Sequence, residues 1–219
     1  MKISTPQTPC LTTDSIIEAA EWLSAGNLLA YPTESVWGIG CDPFNESAVQ
    51  QLLAIKQRPV DKGMIVITDD TEHIAPLLNS LNSTQRKVVL DSWQLPLDTA
   101  NSQAHTWLLP LSKLESEPLT VQIPAWITGA HNSVAVRVTA HPLIQQLCAQ
   151  LVSAFNPYGF IVSTSCNPSG QPPALSLAQA QTYFADNTYA AKVGYLQGDT
   201  LGYQLPSQIN DALTGQIIR

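Results

Sequence analysis

Short apolar runs alternate with segments of helical period along nearly the whole chain. Ile16, Ile17, Ala20 and Leu23 recur at helical spacing. They predict a helix to about Ala25, capped by Thr13 or Asp14 and stopped by Gly26. Leu28 to Tyr31 reads as a buried strand closed by Pro32, and Val36 to Gly40 as a second extended piece. Ala48, Val49, Leu52 and Leu53 mark the next helix, from an Asn45 cap to Arg58, with Pro59 as breaker. Met64 to Thr68 follows as a short strand, then helices over about Thr71 to Asn79 and Ser83 to Trp93.

Gln94 to Ala104 is polar and aperiodic, which reads as a loop before a strand at Thr106 to Leu111. Val134, Val136 and Val138 share one face of a further strand, with Ala135 and Arg137 on the other. A helix from Pro142 to Phe155 leads into a strand at Phe160 to Thr164. A last helix around Ser176 to Phe184 precedes short strands at Val193 to Leu196 and Gln216 to Ile218. Strands and helices intermingle without a fixed βα period. That predicts one α/β domain over residues 13–219, a twisted mixed sheet flanked by helices, after an extended arm at 1–12.

Composition supports a well-filled core. The 219 residues are 44% hydrophobic and 12% charged, against a usual charged share of about 25%. Ten basic and 17 acidic residues give a net charge of −7, which argues against a broad nucleic-acid surface. The four cysteines form no C-x-x-C pair, and no histidine stands at zinc-like spacing. No apolar leader opens the chain and no window approaches a membrane span. These features predict a soluble cytoplasmic protein with free thiols and no membrane contact.

Charge then changes the picture at one place. Lys56-Gln57-Arg58-Pro59-Val60-Asp61-Lys62 holds three of the chain's ten basic residues, just after a predicted helix. Such a cluster either grips an anion, phosphate or carboxylate, or complements the negative end of the helix dipole. Phe160 to Gly170 runs from an apolar strand into a turn rich in hydroxyls, whose oxygens and N–H groups suit phosphoryl oxygens or simply satisfy the turn itself. Arg137, on a Val-rich strand, needs an anion beside it, from a ligand or a salt bridge. No P-loop, zincin helix or nucleophile elbow is present.

Five ordered segments together carry a resemblance. They are Ala30 to Gly38, Lys56 to Lys62, Ser133 to Val138, Ser163 to Gly170 and Pro206 to Gly215. The chain resembles the YrdC/TsaC family, the threonylcarbamoyl-AMP synthases, over nearly its whole length. The resemblance implies that Lys56 and Arg58, with Ser165 and Asn167, line a positive cavity for the ATP phosphates and the reacting carbamate. It implies Thr33 and Arg137 near the amino-acid substrate, the arginine on its carboxylate. It also implies Thr106 and Ser207 near the nucleotide.

The implied reaction joins L-threonine, bicarbonate and ATP into threonylcarbamoyl-adenylate and pyrophosphate, a nucleotidyl transfer. Downstream proteins would pass the product to tRNA. Mg²⁺ would ride on ATP, with no metal site of the protein's own. Departures from the family pattern are visible as well. The W-P-G-P-x-T run is replaced by the twelve residues between Trp93 and Thr106. Cys166 stands for the usual alanine, and Asn210 for a common arginine. A catalytically weak paralogue that holds RNA in the same cavity, with weak tRNA contact, is the alternative, as is a related carbamoyl- or acyl-adenylating enzyme using a different amine.

Overall fold

Alternation within each short strand decides the layers, because successive side chains leave opposite faces of a sheet. The computed structural model describes residues 10–94, 102–111, 119, 121–185 and 193–219. Its first half runs β1 (Thr12–Thr13), α1 (Ile16–Ser24), β2 (Leu28–Pro32), β3 (Trp37–Gly40), α2 (Glu46–Lys56) and a 3-10 turn at Val60–Lys62. Then come β4 (Ile65–Thr68), α3 (Ala75–Leu78), α4 (Ser83–Trp93) and β5 (His105–Pro110). The second half is α5 (Ala125–Thr128), β6 (Ser133–Val138), α6 (Pro142–Leu151), β7 (Ile161–Ser165), α7 (Leu177–Phe184), β8 (Val193–Leu196) and β9 (Gln208–Asp211).

The strands form one mixed sheet in the order β1-β8-β2-β3-β7-β4-β6-β5-β9. β2 runs parallel to β8 and β4 to β6, while β7 is antiparallel to both of its neighbours, β3 and β4. One face carries Leu28, Ala30, Ile39, Val66, Val136 and Val162, which pack with α2 residues Val49 and Leu52 and with Phe184 of α7. The opposite face carries Leu29, Tyr31, Ile67 and Ile161 under Ala19 and Leu23 of α1 and Ile144, Leu147 and Leu151 of α6. Helices therefore flank a single sheet, and the α/β expectation holds.

The sheet also curls. β2 and β6 are four places apart in the strand order, about 19 Å on a flat sheet at 4.8 Å per strand. Yet Glu34, two residues past β2, hydrogen-bonds Thr139, just past β6, at 2.7 Å. One side chain cannot span a flat sheet, so the two strand ends are folded towards each other. The turn after β2 and the turn after β6 therefore meet.

Several expected boundaries move for local reasons. The α1 cap is Ser15, whose hydroxyl accepts from the Glu18 N–H; Thr13 instead donates to the Glu18 carboxylate at 2.6 Å. The helix expected over Thr71 to Asn79 shrinks to Ala75–Leu78, because Asp70 takes the Glu72 N–H and turns the chain. α6 stops at Leu151 rather than Phe155, since Ser153 and Asn156 exchange backbone bonds in a tight turn. At the C-terminus the principal strand is β9, and the expected Gln216 to Ile218 segment folds back on it, Ile218 N donating to Ile209 O at 2.7 Å. Residues 1–9 of the expected arm and 95–101 of the expected loop lie outside the described residues. Thr12 pairs with Tyr195 of β8. Among the described residues no helix is long and apolar enough to cross a membrane.

Candidate functional site

Three transitions into turns build the site, at the ends of β2, α2 and β6. The first follows β2, where Pro32 ends the run and Thr33 closes a tight turn. Both the N–H and the hydroxyl of Thr33 donate to Val36 O, at 3.1 and 2.6 Å. With its proton committed, the buried Thr33 hydroxyl can only accept from a ligand. A glycine on β3 gives this turn its room. A Cβ on Gly38 would lie 3.0 Å from Thr33 Cγ2 and 3.1 Å from Tyr31 Cε2. Gly40 instead admits the backbone of β7, since a Cβ there would collide with Val162 O.

The second transition ends α2. Gln57 adopts a left-handed conformation (φ 46°), and Arg58 N returns to Leu53 O at 3.0 Å, so the helix stops sharply. Lys56, in the last turn, crosses to the turn after β7. Its ammonium donates to Ser165 O at 2.8 Å, Asn167 O at 2.7 Å and Asn167 Oδ1 at 2.8 Å. Those three oxygens use all three N–H donors. Asn167 is fixed in turn, its Nδ2 donating to Gln171 O at 2.6 Å and Pro168 O at 3.1 Å. Burial pulls the Lys56 pKa down to about 8, with the nearby charge of Arg58 adding to the effect and Cys166 opposing it.

Arg58 leaves in another direction. Its Nε and Nη2 donate to Gly63 O at 3.1 and 2.9 Å, bracing the 3-10 turn. It also lines an open depression of about 450 Å³ with Gln50, Leu53 and Val60. Burial lowers its pKa, and the charge of Arg219 lowers it further. Scarce cations thus gather here on an otherwise acidic protein.

The third transition lies past β6. Arg137 is buried on the face opposite Val134 and Val136, as its strand alternation requires. Its Nη2 stands 3.8 Å from Glu34 Oε2, the ion pair that sequence reasoning left open as one of two roles. Glu34 Oε1 accepts from Thr139 Oγ1 at 2.7 Å and Ala140 N at 3.0 Å. Burial would raise its carboxyl pKa, but Arg137, the Thr139 hydroxyl and backbone N–H groups more than offset this and hold it below the ordinary value.

The structure therefore joins Lys56, Ser165 and Asn167 directly, and Thr33 with Glu34 and Arg137 alongside. Gly38 links the groups: it lies against Thr33 and pairs with Ser165 across β3 and β7. Thr106, on β5, and Ser207, just before β9, lie on neighbouring segments at the other end of the sheet order, where His105 pairs with Gln208. Thr106 is fully buried and its hydroxyl has no partner. Sequence reasoning named Thr33 and passed over Glu34, although an acid following a buried strand was a usable signal. It also gave no hint that residues 201–203 cover the turn, with Leu201 N on Thr33 O and Tyr203 N on Glu34 O.

Comparison with known proteins places the chain. A family model described as "Sua5_yciO_yrdC: Telomere recombination" matches residues 21–219. The Threonylcarbamoyl-AMP synthase of Psychrobacter arcticus is 64% identical over 222 residues, covering 100% of both chains. That of Acinetobacter baylyi is 49% identical over 209 residues, covering 95% of this chain and 98% of its own. P. abyssi Sua5 complexed with L-threonine superposes with a TM-score of 0.70 at 25% identity, over 93% of this chain. This chain spans about half of that longer protein, 54% of its length. The chain belongs to the Sua5/YciO/YrdC family.

Proposed function

We propose that this protein is a threonylcarbamoyl-AMP synthase. L-threonine, bicarbonate and ATP become threonylcarbamoyl-adenylate, pyrophosphate and water. The threonine amine attacks the bicarbonate carbon and water is lost, leaving a carbamate. A carbamate oxygen then attacks the α-phosphorus, and the bond to pyrophosphate breaks. The product supplies a later transfer to tRNA by other proteins.

One observation carries the reading: a half-buried lysine ties the end of α2 to the Ser165–Asn167 turn, and Gly38 joins that turn to Thr33 and the Glu34–Arg137 pair. All the reactants except the threonine amine are anionic, so charge neutralisation and alignment are the main catalytic terms. Lys56 keeps the Ser165 to Asn167 turn in shape and supplies positive charge near the phosphates. Ser165, with its hydroxyl 3.5 Å from Lys56 Nζ, offers a donor to a phosphoryl oxygen. Arg58 adds charge once its guanidinium leaves Gly63 O. Arg137 takes the threonine carboxylate and Thr33 accepts from the same substrate.

Thr106 and Ser207 suit the nucleoside end of ATP, the unpartnered Thr106 hydroxyl being the kind of buried group a ligand relieves. Mg²⁺ enters with ATP as part of that substrate. Among the described residues no group of three or more His, Cys, Asp or Glu side chains comes together to hold a metal separately.

Pyrophosphate release measured with ATP and bicarbonate should appear only when L-threonine is added. Release without threonine, or none with it, refutes the reading. Lys56→Ala and Arg58→Ala should each lower the rate at least tenfold, about 1.4 kcal/mol of transition-state stabilisation.

A further inference from the structure

Glu34 has a role that no part of the reaction above uses. It is 1% exposed, and its two oxygens are treated differently. Oε1 accepts two hydrogen bonds, from Thr139 Oγ1 and Ala140 N, and Oε2 accepts none. The nearest cation, Arg137 Nη2, is 3.8 Å from Oε2, and Arg137 Nε is likewise buried without a partner. A buried ion pair that serves stability alone closes to about 2.8 Å and satisfies its remaining donors and acceptors. This one stays about an ångström open with an acceptor and a donor unused.

Glu34 is held from three sides. Thr139 and Ala140 fix its carboxylate at the end of β6, Tyr203 N binds its backbone oxygen at 3.0 Å, and the Thr33–Val36 turn fixes its Cα from the β2 side. Among the described residues Arg137 has no hydrogen bond that anchors its fork, only the field of this carboxylate. A fixed anion beside an unanchored guanidinium aims it, because the attraction acts over several ångströms in a poorly solvated interior.

We propose that Glu34 is the positioning residue for Arg137: its charge orients the guanidinium towards the Thr33 turn and thereby sets affinity for the amino-acid carboxylate. The inference rests on the reading of Arg137 given above. It extends the substrate site to Glu34, Thr139 and the 201–203 segment.

Glu34→Gln tests it, because the amide oxygen can still accept from Thr139 and Ala140 while the charge at Oε2 is gone. L-threonine and ATP affinities are measured separately, by KM and by calorimetric titration, with melting temperature alongside, for Glu34→Gln, Arg137→Met and the double variant. The expected result is a tenfold or larger loss of threonine affinity in Glu34→Gln, ATP affinity within twofold, and no further loss when the change is added to Arg137→Met. Unchanged threonine affinity in Glu34→Gln with a loss in Arg137→Met overturns the positioning role alone. Unchanged threonine affinity in both overturns the assignment of Arg137 as well. A parallel fall in threonine affinity, ATP affinity and melting temperature shows a purely structural carboxylate, which also overturns the proposal.

Discussion

The two cationic ends of the site are built on opposite principles. At the Lys56 end the two anchoring side chains are satisfied by the protein: three oxygens saturate the ammonium, and Asn167 is fixed by both its carbonyl and its amide. At the Arg137 end an acceptor and a donor are buried without partners, and the ion pair is open. A saturated cluster keeps its shape whether or not a ligand is present. An unsatisfied one carries a desolvation cost that a bound carboxylate can remove. On the proposed assignment, the contrast separates a preformed phosphate end from an amino-acid end that binding completes.

The largest effect expected from breaking this contrast is on stability. Arg137→Met leaves Glu34 buried and unpaired, so urea unfolding should show a loss of about 3–5 kcal/mol. Adding Glu34→Gln to it should recover part of that loss, since both charges are then gone. A double variant no more stable than Arg137→Met would mean that the pair is not coupled.

Lys56→Ala comes next and acts on turnover more than on the fold. Its loss frees the Ser165 to Asn167 turn, and the turnover loss of tenfold or more should appear with a threonine KM changed less than threefold. A large threonine effect there would erase the distinction between the two ends.

A pH effect is the third. Lys56 titrates near 8, so its grip on the three oxygens weakens as pH rises through that value, and kcat/KM for ATP should fall on the alkaline side. For stability the sign is opposite. The unfolded lysine keeps its proton to about 10.4 and so binds more protons than the folded one between the two values, which makes stability rise with pH across that window. Glu34, with a lowered pKa, contributes stability above the ordinary carboxylate range that is lost as acid carries the pH below its folded pKa. Glu34→Gln should flatten that acid limb in a denaturation series.

The smallest effect is at Gln57. Left-handed backbone (φ 46°) is strained for a residue with a Cβ, so Gln57→Gly should raise stability by about 0.5–1 kcal/mol in thermal or urea unfolding. If instead it lowers turnover as Lys56→Ala does, the rigidity of the helix end is part of the preformed cluster.

What could be read from the sequence was whatever depends on neighbours along the chain. The Asn45 cap, the β2 run and the Val134 to Val138 alternation all follow from local period and capping chemistry. Lys56 meeting Ser165 and Asn167 came from the family pattern, since spacing alone could not bring residues 109 and 111 positions apart together. Glu34 was missed because its partners depend on the curl of the sheet, which no local pattern encodes. β9 was missed because Gln208 and Asn210 give no apolar alternation, and its identity comes from pairing with β5. The direction taken by Arg58 depends on the shape of the 59–63 turn, which the cation count could not convey.

The pairing of Leu28 with Val193 reaches beyond the finished molecule. β2 sits inside the sheet, yet one of its two neighbours is made some 165 residues later. While the chain emerges from the ribosome, that strand has β3 on one flank and bare N–H and C=O groups on the other. A nascent form of this protein therefore carries a sticky edge for most of its synthesis, the condition under which strands pair with the wrong chain.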